Sequence, residues 1–123
     1  MAERQGTVIS VKRIFDEPSA NDGFRVLVDR LWPRGVSKER AALDRWLKEV
    51  APSTGLRQWF HQDTPPFAVF AARYDEELDA NPAVDELRAI VAAHPVVTLL
   101  VGAREVQENH ATVLRDHLER SAD

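Results

Sequence analysis

The run over residues 24–35 constrains the fold most, because an apolar strand passes directly into a polar corner. Residues 24–29 predict a strand suited to burial on both faces of a sheet, and residues 30–35 follow with two arginines, a tryptophan and a Pro-Arg-Gly turn. In parallel sheets, ligands bind outside the carboxyl ends of the strands. The run therefore predicts where a site lies, although it does not name a reaction.

A second apolar run, residues 96–101, predicts another buried strand because it is continuous in leucine and β-branched residues. Helical stretches precede and follow it. Pro65-Pro66 opens one helix, Pro82 begins another, and a final helix is expected from about Val106 to Arg120. Helices between buried strands predict an α/β fold: one compact three-layer domain over residues 1–123, with a small, mostly parallel sheet flanked by helices.

Two segments leave alternatives open. Residues 7–14 predict a first strand, but the turn-rich connection after it is short for a parallel crossover, so its direction is not settled. Residues 43–50 have helical spacing but stop at Pro52, so a helix and a strand both remain. Ser53 is expected to cap a short helix over residues 56–60.

The composition excludes several classes of function. The chain has no cysteine, which removes disulfides and thiolate chemistry. Its formal net charge of −4 argues against a nucleic-acid partner. No apolar run is long enough to span a membrane and no signal peptide is evident, so a cytoplasmic protein without a membrane partner is expected. Monomer and dimer both remain open.

The corner and the start of the last helix are expected to meet if the two apolar strands are parallel. The N–H groups at a helix start favour anions, so the sequence predicts a pocket for a small anionic or nucleotide-like ligand. The ligand-binding candidates are Asp29, Arg30, Trp32, Arg34, Ser53 and Arg104.

Structural roles compete with these assignments. Arg30 and Arg34 could pair with Asp29, Asp44 or Glu39 in surface salt bridges. Trp32 could pack under a loop instead of stacking on a ligand. Helix capping explains Ser53 equally well.

The histidines carry the candidate chemistry. His110 lies on the apolar face of the last helix, where it is either a core histidine bonded to a carbonyl or an acid–base catalyst. His61 would be a second acid or base, and Asn109 would orient a substrate. The alternatives are a metal site formed by His61, His110 and Asp63, and a binding or regulatory module without chemistry. The cofactor is therefore unknown, with a metal ion among the options.

The same residues carry a family resemblance. Residues 25–35 resemble the signature of the YeaO-like proteins, a short branch of the domain of unknown function 488 group. Further blocks match at residues 43–53, at Leu56-Arg57 with Phe60-His61, and at residues 98–100 with 107–111. The resemblance covers nearly the whole chain.

The resemblance implies a compact three-layer α/β domain and, for residues 43–53, a strand after a short helix. Longer relatives carry Cys-His-Arg where this chain has Asn109-His110-Ala111, so the histidine matches and the thiol does not. The resemblance implies no settled activity.

Overall fold

The computed structural model describes residues 7–104 and 107–120. Its four strands, all paired in parallel, lie in the order β1-β4-β2-β3. They span Val8–Arg13 (β1), Phe24–Leu27 (β2), Arg45–Trp46 (β3) and Val96–Val101 (β4). The two apolar strands are central, as the sequence predicts, so their carboxyl ends share one edge.

Five α-helices lie in the described ranges. They span Lys38–Ala41 (α1), Thr54–Asp63 (α2), Phe67–Asp79 (α3), Ala83–Ala93 (α4) and His110–Arg120 (α5). Short 3₁₀ turns occupy Ala20–Asp22 and Lys48–Val50. None of the described helices has the length and apolar character needed to cross a lipid bilayer.

The sheet has two different faces, because successive side chains of a strand point to opposite sides. On the first, the helical face, Val26, Val28 and Leu99 pack in one cluster with residues of α2 to α5. On the second, the Trp face, Leu27 and Leu100 pack with Ala41 of α1 and with the loop residues around Trp32 and Trp46. The long helices therefore cover one face, and α1 with loops covers the other.

The structure settles both open segments. β1 is parallel to β4 and does not touch β2, so the short connection has to reach past a central strand and carries no long helix. Residues 43–50 are not a helix: Asp44 and Leu47 donate backbone hydrogen bonds to Arg25 and Leu27, which commits this segment to the sheet. A two-residue strand and a 3₁₀ turn result.

The last helix begins later than expected. Val106 lies outside the described residues, and α5 starts at His110. Asn109 ends the preceding loop because its side chain takes up the first free N–H groups of the helix, as an N-cap residue does.

Candidate functional site

Asp29 joins the central strands to the start of α5. It follows β2, and its Oδ2 accepts a 2.7 Å hydrogen bond from the backbone N–H of Gly102, just beyond β4. Its Oδ1 lies 3.2 Å from His110 Nε2. The corner and the Asn-His helix start therefore meet at the carboxyl edge of the sheet.

His110 is held through a single ring nitrogen. Nε2 lies 3.1 Å from the carbonyl oxygen of Val28. A carbonyl oxygen only accepts hydrogen bonds, so Nε2 carries a hydrogen and donates a hydrogen bond to the Val28 carbonyl. The contact to Asp29 Oδ1 lies outside hydrogen-bonding geometry, which leaves that oxygen buried without a donor among the described residues. His110 thus has the carbonyl partner of a structural histidine, at a position that also borders a cavity.

Tyr74 lies beside this histidine, with the two ring centroids 6.3 Å apart. Its hydroxyl donates a 2.6 Å hydrogen bond to the carbonyl of Val50. Burial, and secondarily the charge of Glu77, raises the pKa of Tyr74 well above its ordinary value of 10.0. The phenol therefore stays neutral and serves as a fixed support under the imidazole.

A cavity of about 360 Å³ opens at this edge, between the strand ends, one side of α2 and the starts of α3 and α5. This volume is near the lower end of the roughly 300–1,000 Å³ typical of small-molecule sites. The cavity is lined by Asp29, Arg30, Leu31, Ala51, Pro52, Arg57, Phe60, His61, Phe67, Phe70, Gly102, Ala103, Glu108, Asn109 and His110.

One wall of the cavity is aromatic. Phe60 of α2 and Phe70 of α3 lie with ring centroids 4.4 Å apart, and Phe67 lies 5.7 Å from Phe70. Phe70 is buried, whereas Phe60 and Phe67 are half-buried. The half-buried rings offer an apolar surface on which a planar group can pack.

Two arginines lie at the same cavity. Arg30 Nη2 donates to the carbonyls of Ala51 and Pro52, at 3.1 and 3.4 Å, while its buried Nε has no hydrogen-bond partner in the part of the chain that the structure describes. Arg57 is exposed on α2. Within residues 7–104 and 107–120, neither guanidinium forms an ion pair with a carboxylate.

Asn109 has a structural role at the cavity edge. Its Oδ1 accepts hydrogen bonds from the backbone N–H groups of Ala111 and Thr112, at 2.8 and 3.1 Å. The Thr112 hydroxyl accepts in return from the N–H of Asn109. This reciprocal cap uses the N–H groups that the sequence reasoning assigned to an anion.

The structure does not bring Trp32 and Arg34 to the cavity. Trp32 packs edge-on against Trp46, with 5.3 Å between ring centroids, and its Nε1 donates to the carbonyl of Val36. It therefore packs under a loop on the Trp face. Arg34 is exposed, and among the described residues it forms none of the salt bridges considered for it.

Two other ligand-binding candidates lie elsewhere. Ser53 is the N-cap of α2, and its N–H and hydroxyl both donate to the carboxylate of Glu77. The capping interpretation is thus confirmed. Arg104 is exposed and does not line the cavity.

The predicted metal set is not assembled. His61 and His110 both line the cavity, but Asp63 does not. No group of three or more metal-ligating side chains occurs in the part of the chain that the structure describes. The reason is geometric: Asp63 is the last residue of α2 and lies half a turn from His61, so it faces another direction.

Sequence reasoning missed Arg57, Glu108 and the phenylalanine wall. A signal for Arg57 exists, because Arg57 and His61 are four residues apart on a helix with a clear N-cap and so share one face. The wall had no such signal. Phe67 and Phe70 belong to an apolar stripe that reads as core, and only the packing of α2 on α3 leaves part of it at a cavity.

Sequence comparisons identify the family of this chain. Residues 8–123 match the family described as the inactive DUF488-N3 subclade, DUF488-N3i. The chain is 44% identical to the uncharacterized protein YeaO of Escherichia coli K12 over 110 residues, 89% of this chain and 96% of the relative. It is 43% identical over 108 residues to the uncharacterized protein Rv3073c of Mycobacterium tuberculosis H37Rv, covering 88% and 91%. No solved structure matches significantly.

The chain therefore belongs to the YeaO-like DUF488 proteins, an uncharacterised family of α/β fold.

Proposed function

We propose that this protein binds a small molecule with an acidic group and an apolar part, and does not convert it chemically. The observation that carries the proposal is the pairing of a phenylalanine wall with Arg30 and Arg57 at one cavity. A guanidinium without a carboxylate partner favours an anion, because it gains a charge-assisted hydrogen bond without breaking an existing ion pair.

Several features support binding without catalysis. The chain has no cysteine, and Asn109, at the position of the thiol in longer relatives, is used as a helix cap. The protonated nitrogen of His110 is bonded to a backbone carbonyl. The description of the family as inactive agrees with this proposal.

The test is a binding screen with the intact chain, in which acidic aromatic compounds and their neutral analogues are titrated by calorimetry. We expect the acids to bind more tightly than the neutral analogues. Arg57→Ala should weaken acid binding by roughly tenfold or more, since a hydrogen bond to a charged group contributes about 1.5–3 kcal/mol.

Arg34→Ala is the matched control, because Arg34 is an exposed arginine like Arg57 but does not line the cavity. It should leave the affinity unchanged. Equal weakening by both variants, or neutral analogues that bind as tightly as the acids, would contradict the proposal.

A second candidate, acid–base catalysis by His110, is favoured by the 3.2 Å contact between its Nε2 and Asp29 Oδ1. The two candidate functions are distinguished by incubating the ligand with the protein for a prolonged time, recovering it and determining whether it has been converted. Unchanged ligand supports binding alone. Conversion that His110→Gln abolishes would favour catalysis.

A further inference from the structure

Three backbone donors at this edge of the sheet, those of Gly102, Ala111 and Thr112, already bond to the protein's own oxygens. Phosphate groups in proteins are commonly bound by the free N–H groups of a helix start. Here Asn109 Oδ1 accepts from Ala111 and Thr112, and Asp29 Oδ2 accepts from Gly102. The edge thus has the position of a phosphate site, but side-chain oxygens replace the phosphate oxygens.

The charges of the lining also disfavour a phosphate. Among the residues that the structure describes, the charged side chains at the cavity are Arg30 and Arg57 against Asp29 and Glu108, and with neutral histidines their formal charges sum to zero. A phosphate monoester carries about −1.5 to −2 at pH 7, and both carboxylates would repel it. A singly charged carboxylate matches the planar fork of one guanidinium and meets less repulsion.

From these contacts we infer that the acidic group of the ligand is a carboxylate, and that its apolar part is a single aromatic ring packed on Phe60 and Phe67. This inference rests on the proposed function and narrows it, and it removes the nucleotide-like ligands that the sequence left open. The volume of about 360 Å³ agrees with a one-ring acid.

Three matched probes test the inference on the intact chain by calorimetry: phenylacetate, phenyl phosphate and the neutral phenylmethanol. We expect phenylacetate to bind at least about tenfold more tightly than phenyl phosphate, a difference of about 1.4 kcal/mol. Phenylmethanol should bind more weakly than phenylacetate.

The outcomes separate the inference from the proposed function. Phenyl phosphate that binds as tightly as phenylacetate, with a loss of binding in Arg57→Ala, overturns the inference and keeps the proposed function. Failure of both acids to bind more tightly than phenylmethanol overturns both.

Two substitutions at Asn109 test whether the cap at the start of α5 disfavours a phosphate. Asn109→Gly frees the N–H groups of Ala111 and Thr112, and glycine is itself an acceptable N-cap. It should raise the affinity for phenyl phosphate by about twofold to fivefold, the effect expected for an anion at a helix start. Asn109→Asp keeps the cap, adds a negative charge, and should lower that affinity. A folded Asn109→Gly variant, verified by circular dichroism, that gains no affinity for phenyl phosphate would overturn the inference.

Discussion

The two faces of the sheet differ in how their charged side chains are paired. On the Trp face, the carboxylate of Asp22 accepts from the backbone of Ser19, from Lys12 and from Arg25, which lie within 3.0 Å. At the carboxyl edge of the helical face, Arg30 and Arg57 border a cavity without an ion pair among the described residues. In the first arrangement the charged groups pair with one another and stabilise the fold. In the second, two guanidinium groups remain available to a ligand.

Arg25 shows how complete the closed arrangement is. It is only 4% exposed. Beyond its bond to Asp22, it donates to the carbonyls of Ala41 and Ala42, at 2.7 and 3.0 Å. These bonds join the end of α1 to β2, so the network also positions the loop that covers the Trp face.

The largest expected effect follows from breaking this network. Arg25→Met should lower the free energy of unfolding by about 3 kcal/mol or more, because it leaves Asp22 buried with its charge only partly compensated. The measurement is urea denaturation. The double variant Asp22→Asn with Arg25→Met should lose less stability than the single variant, because no buried carboxylate remains without its arginine, and Lys12, which loses its ion pair, is partly exposed. A loss below about 1 kcal/mol in Arg25→Met would contradict the assignment.

The pH dependence of stability tests the same carboxylate with a smaller effect. Burial raises the pKa of Asp22, but the bonds from Ser19, Lys12 and Arg25 outweigh it, so this pKa lies below its ordinary value of 3.8. A lowered folded-state pKa contributes stability that is complete above pH 3.8 and is lost as the pH falls through the folded pKa.

Denaturation at a series of pH values down to about pH 2 should therefore show an acid loss that is less steep in Asp22→Asn than in the unsubstituted chain. Identical acid slopes would show that Asp22 does not titrate with folding.

The smallest expected effect concerns the cap of α5 at the carboxyl edge of the sheet, because this cap involves only neighbouring residues. Asn109→Ala should lower the free energy of unfolding by about 1 kcal/mol, and Asn109→Gly by only a few tenths, because the glycine backbone is a tolerable cap and alanine is not. Thermal and urea denaturation of the pair measure this difference. Equal losses would mean that the side-chain bonds to Ala111 and Thr112 contribute little.

Local signals predicted most of the architecture. The apolar strand Val96–Val101, the stripe of Phe70, Tyr74 and Leu78, and the cap at Ser53 all appear where their patterns place them. These patterns depend on residues within a few positions of each other. The convergence of Asp29 and Arg30 with His110 was also predicted, because parallel central strands bring their carboxyl ends to one edge.

The composition of the cavity could not be predicted in the same way. Arg30 and Arg34 share one corner and one residue type, yet one borders the cavity and the other is exposed. Between these two arginines, Trp32 packs on Trp46 from a different segment, a contact that no local pattern encodes.

The sequence by itself determined the long helices and the two apolar strands, because hydrophobic periodicity and turn residues act over short distances, whereas the direction of β1 and the strand at Arg45–Trp46 needed the tertiary structure. Only the tertiary structure decided which side chains reach the cavity and which polar groups were already bonded. Asn109 and Asp29 look like ligand-binding residues in the sequence, but the packed chain uses their oxygens for the N–H groups of Ala111, Thr112 and Gly102. The bond of Asp29 joins segments 73 residues apart, and no local pattern encodes it.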